Sequence, residues 1–260
     1  MKNLIGIYSI VILLNMSAFA DIDKFVHEQD DRVQVQTQHN FRHQIVGLLF
    51  DLKTKATCTG TLIGVSHVLT SAHCIYDFNK KKWTESLEFY PGLVGKPTKQ
   101  DLKANFKRIY MLKDYFDKKS PEADFAVIEL EQTLGQNIGW AGFKSVTGPG
   151  ALNQLDTSIE IEMIGYPGDK TFGTLWSVAC EATIEKGFWS YYCDTFYGMS
   201  GSAIFAKNSS ENIIIGIHSF GSPLKNGGLL IDSQTYNLIL QWKNFKKYSQ
   251  NTLVYLRPKI

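Results

Sequence analysis

An all-β protein of two six-stranded antiparallel β-barrels, with its site in the cleft between them and one helix near the C-terminus, is the architecture this sequence predicts. Three observations carry it. Twelve short runs of β-branched and aromatic residues, broken by turn chemistry, follow residue 40. A Gly-rich, Pro-containing joint at Gly135–Gly150 divides them six and six. Near the end, Leu238, Ile239, Trp242 and Phe245 recur at i, i+1, i+4 and i+7, a helical stripe.

Composition agrees with a folded protein and excludes several others. The chain has 260 residues, 44% hydrophobic and 20% charged, with 21 Gly and 7 Pro. That is enough to bury a sizeable core and far from a disordered or collagen-like chain. The net charge of +2 comes from 27 basic and 25 acidic residues with no long run of one sign. A nucleic-acid partner and a lipid-surface partner therefore have no support, and a monomer is expected.

In chain order, Lys2, the apolar run Leu4–Leu14 and the small-x-small triplet Ala18-Phe19-Ala20 form the three parts of a secretory signal, residues 1–20, cleaved before Asp21. The run is shorter than the roughly 20 residues that span a bilayer, so export to the medium or the periplasm is expected, not anchoring. Asp21–Gln34 carries five acids and two bases and reads as an acidic pro-segment. The first barrel is expected over 35–137, from the runs Ile45–Phe50, Thr59–Ile63, His67–Thr70, Leu87–Tyr90, Phe106–Leu112 and Phe125–Leu130. The second is expected over 138–232, from Ile159–Gly165, Leu175–Cys180, Trp189–Cys193, Ser202–Phe205, Ile213–His218 and Gly228–Ile231. Residues 233–260 are left as helix and tail, the stripe lying against the second barrel.

An exported chain with four cysteines calls for bridges. Of the three possible pairings, Cys58–Cys74 and Cys180–Cys193 each close a local loop, worth on the order of 3 kcal/mol apiece. No CxxC pair or HExxH helix is present, so neither metal nor other cofactor is expected.

Three short segments carry chemistry. Val68–Cys74 ends an apolar run on His73; Glu122–Ile128 sets Asp124 at the mouth of a buried run; Asp194–Ser202 places Ser200 among glycines that let the backbone bend tightly. Each has an ordinary structural explanation alone. Together they supply what a weak serine nucleophile needs: a base, a carboxylate to orient the base, and backbone N–H donors for the developing oxyanion. An α/β-hydrolase would place Gly-x-Ser-x-Gly on a strand-to-helix elbow with the histidine last, and fails on both counts. The His-first order on an all-β pattern resembles the chymotrypsin-like serine proteases.

The likeness is narrower still. Arg42-His43-Gln44-Ile45, Gly165-Tyr166-Pro167-Gly168-Asp169-Lys170 with Trp176 after it, Gly198-x-Ser200-Gly201-Ser202 and Ile215-Gly216-Ile217-His218 resemble the bacterial glutamyl endopeptidases over residues 35–245. The resemblance implies peptide cleavage after Glu, less readily after Asp, by a His73, Asp124 and Ser200 triad, with the N–H groups of Gly198 and Ser200 as oxyanion hole. It also implies that Thr195, His218 and the amine of a mature Val35 bind the substrate carboxylate, and that Ser219 and Gly221 border an edge for the peptide. Met199 departs from the family's usual Asn, and a flipped peptide there would weaken the oxyanion hole.

Two other assignments compete. Asp194 stands six residues before the nucleophile, where trypsin-like enzymes keep the carboxylate that binds Arg or Lys. A protease-like fold also serves as a non-catalytic or narrow-target binding protein. The trypsin-like activation lock requires an acid immediately before the nucleophile, and here that residue is Met199. Activation is expected instead by cleavage between Gln34 and Val35. Protein or peptide substrates are the expected partners.

Overall fold

The computed structural model describes residues 26–27, 29–148, 158–207, 209, 211–222, 224–244 and 249–258; the expected signal peptide, the start of the acidic segment and Phe245 lie outside them. A short strand, β1 (Val33–Gln34), precedes the first barrel. That barrel is formed by β2 (Val46–Asp51), β3 (Thr57–Leu62), β4 (His67–Thr70), β5 (Leu87–Pro91), β6 (Ala104–Leu112) and β7 (Ala126–Leu130). Antiparallel pairing runs β2 to β3 to β4 to β7 to β6 to β5 and back to β2, which closes the sheet.

The second barrel repeats the plan with β8 (Ile159–Gly165), β9 (Trp176–Glu185), β10 (Phe188–Tyr191), β11 (Ala203–Ala206), β12 (Ile213–Phe220) and β13 (Asn226–Leu230). Its ring runs β8, β9, β10, β13, β12, β11 and back to β8. Closure leaves only short stretches of free edge in either ring. Leu62, Val68, Ile109 and Ile128, which share one face of the first sheet, fill the first interior and Ile161, Met163, Ile204 and Ile215 the second, all buried. Burying each such side chain contributes about 1.5–3 kcal/mol.

All twelve expected runs are strands, with ends displaced by a few residues; β9 runs on to Glu185. Both expected disulfides form: Cys58–Cys74 and Cys180–Cys193, with Cα–Cα distances of 6.0 and 5.4 Å.

Three features depart from expectation, all at the chain ends. The acidic segment contributes β1, which pairs with β9 through Val33↔Ser177 and Gln34↔Trp176. The tail contributes β14 (Thr252–Leu256), which pairs with β6 of the first barrel from Thr252↔Leu112 to Leu256↔Arg108. The helix Ser233–Lys243, N-capped by Asp232, lays Trp242 on the first barrel, while its Tyr236 meets Phe143, 5.2 Å away, beside the second. The reason is aromatic: Trp242 is fully buried, stacked 5.2 Å from Phe125 and 6.4 Å from Tyr110, with its Nε1–H donating to Thr252 Oγ1. Among the described residues no helix is long and apolar enough to cross a membrane.

Candidate active site

Pairing of β4 with β7, in register from His67↔Glu129 to Thr70↔Ala126, brings the segments that flank them to one end of the first barrel. His73 sits there on a 3-10 turn, Ala72–Cys74, and Asp124 directly follows a second, Pro121–Ala123. Asp124 accepts twice from one residue. Its Oδ1 takes the His73 backbone N–H at 2.9 Å, and its Oδ2 lies 2.8 Å from His73 Nδ1. A carboxylate can only accept, so the imidazole proton belongs on Nδ1 and the Nε2 lone pair is left for a substrate-side proton. Burial lowers the His73 pKa, but the charge and hydrogen bond of Asp124 outweigh it and hold it above the ordinary histidine value.

Ser200 belongs to the turn between β10 and β11 of the second barrel, and the first barrel grips that turn. Thr59 N–H donates to Ser200 O at 2.9 Å, and Thr59 Oγ1 donates to Gly198 O at 2.8 Å. Gly201, at φ +83°, packs so tightly that a Cβ would lie 2.1 Å from Thr70 Oγ1. Among the described residues the Ser200 hydroxyl makes no hydrogen bond, as is common before a substrate tightens such a site.

The backbone ahead of Ser200 is equally defined. Met199 N–H donates to Phe196 O at 3.0 Å, closing a four-residue turn whose third residue, Gly198, has φ +96°. A positive φ at that place is the mark of a type II turn and favours glycine. The Tyr197 carbonyl accepts from Gly168 N–H at 2.6 Å. In a trans peptide the carbonyl and the following N–H point in opposite directions, so Gly198 N–H faces away from Gly168. Among the described residues no main-chain carbonyl takes the N–H of Gly198 or Ser200. Met199 does not flip this peptide; its side chain is wholly buried in the second barrel.

A cleft of about 1020 Å³ joins these parts, and His73, Asp124, Thr195, Gly198, Ser200, His218, Ser219 and Gly221 all line it. His218 is buried, with Nδ1 2.7 Å from the Tyr191 hydroxyl. Burial, reinforced by His73, pushes its pKa down to about 4 against the opposing pull of Gly227 and Asp124, so it is neutral near pH 7. Ser219 and Gly221 border the cleft where β12 ends.

Two residues named from the sequence stand elsewhere. Val35 is buried and continues β1, its N–H donating to Leu175 O at 2.9 Å, and it is not among the cleft-lining residues. Asp194 is 1% exposed and also absent from the lining. Its Oδ1 accepts the His27 N–H at 2.5 Å, its Oδ2 the Asp31 N–H at 2.8 Å.

Thr59, Gly168 and Tyr191 hold the site together and were not singled out by sequence reasoning for these roles. Gly168 and Tyr166 stand inside a quoted motif, but nothing in the spacing of Thr59 marks it. Two clusters place three metal-type ligands near one another, Cys58, His73 and Cys74, and Asp30, Asp31 and Asp194. In the first the sulfurs bond each other and the imidazole is committed to Asp124; in the second Asp194 is taken up by amides.

Comparison with known proteins agrees with this geometry. A family model described as Trypsin matches residues 32–240. A glutamyl endopeptidase of Bacillus licheniformis is 27% identical over 230 residues, which is 85% of this chain and 70% of that protein. An extracellular metalloprotease of Bacillus subtilis is 28% identical over 189 residues, 72% of this chain and 58% of its own. Among solved structures, a Glu endopeptidase in complex with MPD superposes with a TM-score of 0.75 at 27% identity, covering 85% of this chain and 99% of the other.

Proposed function

The chain belongs to the trypsin family of serine proteases, and from that premise we propose that it is an exported endopeptidase that cleaves after glutamate, and less readily after aspartate, through an acyl-enzyme. His73 Nε2 takes the Ser200 proton as the hydroxyl attacks the scissile carbonyl, then returns it to the leaving amine. Asp124 keeps the imidazole in the reactive tautomer and stabilises its charged form. The N–H groups of Gly198 and Ser200 receive the oxyanion, in the direction that the Tyr197 carbonyl bond to Gly168 leaves open.

Glutamate preference rests on one observation above the rest: Asp194, the acid a trypsin-like pocket would use, is turned onto the amides of His27 and Asp31, while Thr195 and His218 line the cleft. A pocket without its carboxylate loses its hold on Arg or Lys. The Tyr191 hydroxyl lies 2.7 Å from His218 Nδ1; with the phenol as donor in that bond, the ring proton sits on Nε2, a donor for a carboxylate. Thr195 Oγ1 is the second donor. The substrate main chain is received along Ser219–Gly221 as an added strand.

The test is mass spectrometry of a denatured protein digested by the exported enzyme, with Ser200→Ala as control. Cuts after Glu support the proposal. Cuts after Lys or Arg return the pocket to Asp194, and no cuts from folded material favour a binding protein or a protease of narrow target range.

A further inference from the structure

The cleft has a wall on each barrel. On the second barrel stand Thr195, His218, Ser219 and Gly221; on the first the cleft runs on past His73 to Thr54, Thr57, Asp77, Phe78, Lys82 and Trp83. The outer part of this first-barrel wall is a hairpin, Tyr76–Asp77 paired with Lys82–Trp83, that begins just after the turn carrying His73. Thr84 N–H closes its base on Ile75 O at 2.8 Å. Arms of two residues do not hold such a ribbon in water by themselves.

What holds it is aromatic, and comes from the C-terminal tail. Trp83 stacks face to face on Tyr255, with ring centroids 4.4 Å apart and planes 3° from parallel. Trp83 also meets Tyr76 at 5.1 Å, and Tyr76 lies 4.8 Å from Phe116. Tyr255 belongs to β14, where it pairs with Ile109 of β6. Just ahead of that strand, Asn251 O accepts the Lys113 N–H at 2.9 Å and Asn251 Nδ2 donates to Asp114 Oδ2 at 2.6 Å. β14 lies beyond residue 240, where the family match ends, so membership of the family assigns it no task.

The charge of the hairpin is one-sided. Lys80, Lys81 and Lys82 follow one another at its tip against one carboxylate, Asp77, which Lys80 reaches at 3.0 Å. Lys81 lies over the Phe78 ring, 3.4 Å from its centroid. Lys82, exposed and lining the cleft, enters no ion pair among the described residues. With the substrate up to its glutamate on the second-barrel wall, along Ser219–Gly221, the residues after the cut run out over the first. Ser200 marks the crossing: its carbonyl oxygen takes the Thr59 N–H at 2.9 Å and stands 3.6 Å from Cys74 Sγ.

We propose that the C-terminal strand braces a basic rim of the cleft, and that this rim selects substrates with an acidic side chain shortly after the cut. Tyr255 is a positioning residue, acting through Trp83 on the hairpin that carries Lys82. The inference rests on the direction of the substrate given under Proposed function.

The test compares three Glu substrates of the full-length exported protein: a nitroanilide, which has no residue after the cut, and two peptides that differ only in carrying Asp or Lys at the second and third residues after it. The parent is expected to favour the Asp peptide in kcat/KM by up to about fivefold, the reach of a surface ion pair. Tyr255→Ala should bring that ratio close to one and leave nitroanilide hydrolysis unchanged, whereas Tyr255→Phe, which keeps the ring, should retain the parent ratio. Lys82→Gln should lower the ratio with the stack intact. A parent that does not favour Asp, a ratio that survives Tyr255→Ala, or a loss shared equally by peptides and nitroanilide overturns the proposal. Should Tyr255→Ala leave Ser200 unreactive towards a fluorophosphonate, Tyr255→Leu, which keeps an apolar side chain but cannot stack, is scored on the same ratio. A parent that does not cut after Glu is a failure of the pocket assignment; the pair is then rebuilt on the residue it does cut after, or compared by binding to Ser200→Ala if it cuts nothing, and the same ratio decides.

Discussion

Asp124 holds His73 by two atoms at once, the backbone N–H at 2.9 Å and Nδ1 at 2.8 Å, so the carboxylate fixes both the position of the turn and the tautomer of the ring it carries. Asp124→Asn separates the two effects. The amide oxygen still accepts the backbone hydrogen, while the amide nitrogen presents a donor to Nδ1 and drives the proton to Nε2. A loss of about 10⁴ in kcat with little change in melting temperature is expected, read from single-turnover kinetics alongside calorimetry.

As the proposed base His73 must be neutral, and its pKa is held above the ordinary 6.5. Activity is therefore expected to fall on acidification through a single ionisation above pH 6.5, visible in kcat/KM against pH. In Asp124→Asn that limb should move to lower pH. The same raised pKa stabilises the fold, a contribution complete below the unfolded value near 6.5 and lost as pH rises through the folded one. His218, at about 4, is expected to add no further ionisation between pH 5 and 8.

Thr195→Val removes one pocket donor without altering volume much. For a hydrogen bond to a charged group, worth about 1.5–3 kcal/mol, KM for Glu substrates should rise roughly ten- to a hundredfold. kcat should hold, and cleavage after Lys should not appear. A fall in kcat with KM unchanged would remove Thr195 from the pocket.

Gly198→Ala puts a methyl 2.3 Å from the Tyr166 carbonyl at φ +96°. The turn must open, and with it the direction of the N–H. Acylation by an active-site ester is expected to slow by about 10²–10³, the usual cost of one oxyanion donor. An unaffected acylation rate would show that this amide is not used.

What the chain disclosed before folding was whatever it encodes locally. The barrel strands are runs of Val, Ile, Leu and aromatics bounded by turn residues, and His73, Asp124 and Ser200 each stand at the end of such a run or between glycines. Hidden from that reading was everything whose partner is far away in sequence. Nothing near Arg32 in the sequence points to Asp169, which it grips 137 residues on. Thr252–Leu256 has the composition of a strand, but its partner strand ends 140 residues earlier, at Leu112. Periodicity reports which side of the helix is apolar and not what meets it: Trp242 goes to Phe125 of the first barrel and Tyr236 to Phe143 beside the second.

The two chain ends cross over. The N-terminal strand β1 is sewn to the second barrel and the C-terminal strand β14 to the first, each on the barrel farther along the chain from it. Neither half can be cut free at the joint without losing an outer strand to the other. His73 and Asp124 ride on one barrel and Ser200 on the other, so the crossed strands bind together the two halves that carry these three residues. A nick or an added tag at either terminus thus bears on chemistry carried by the opposite barrel.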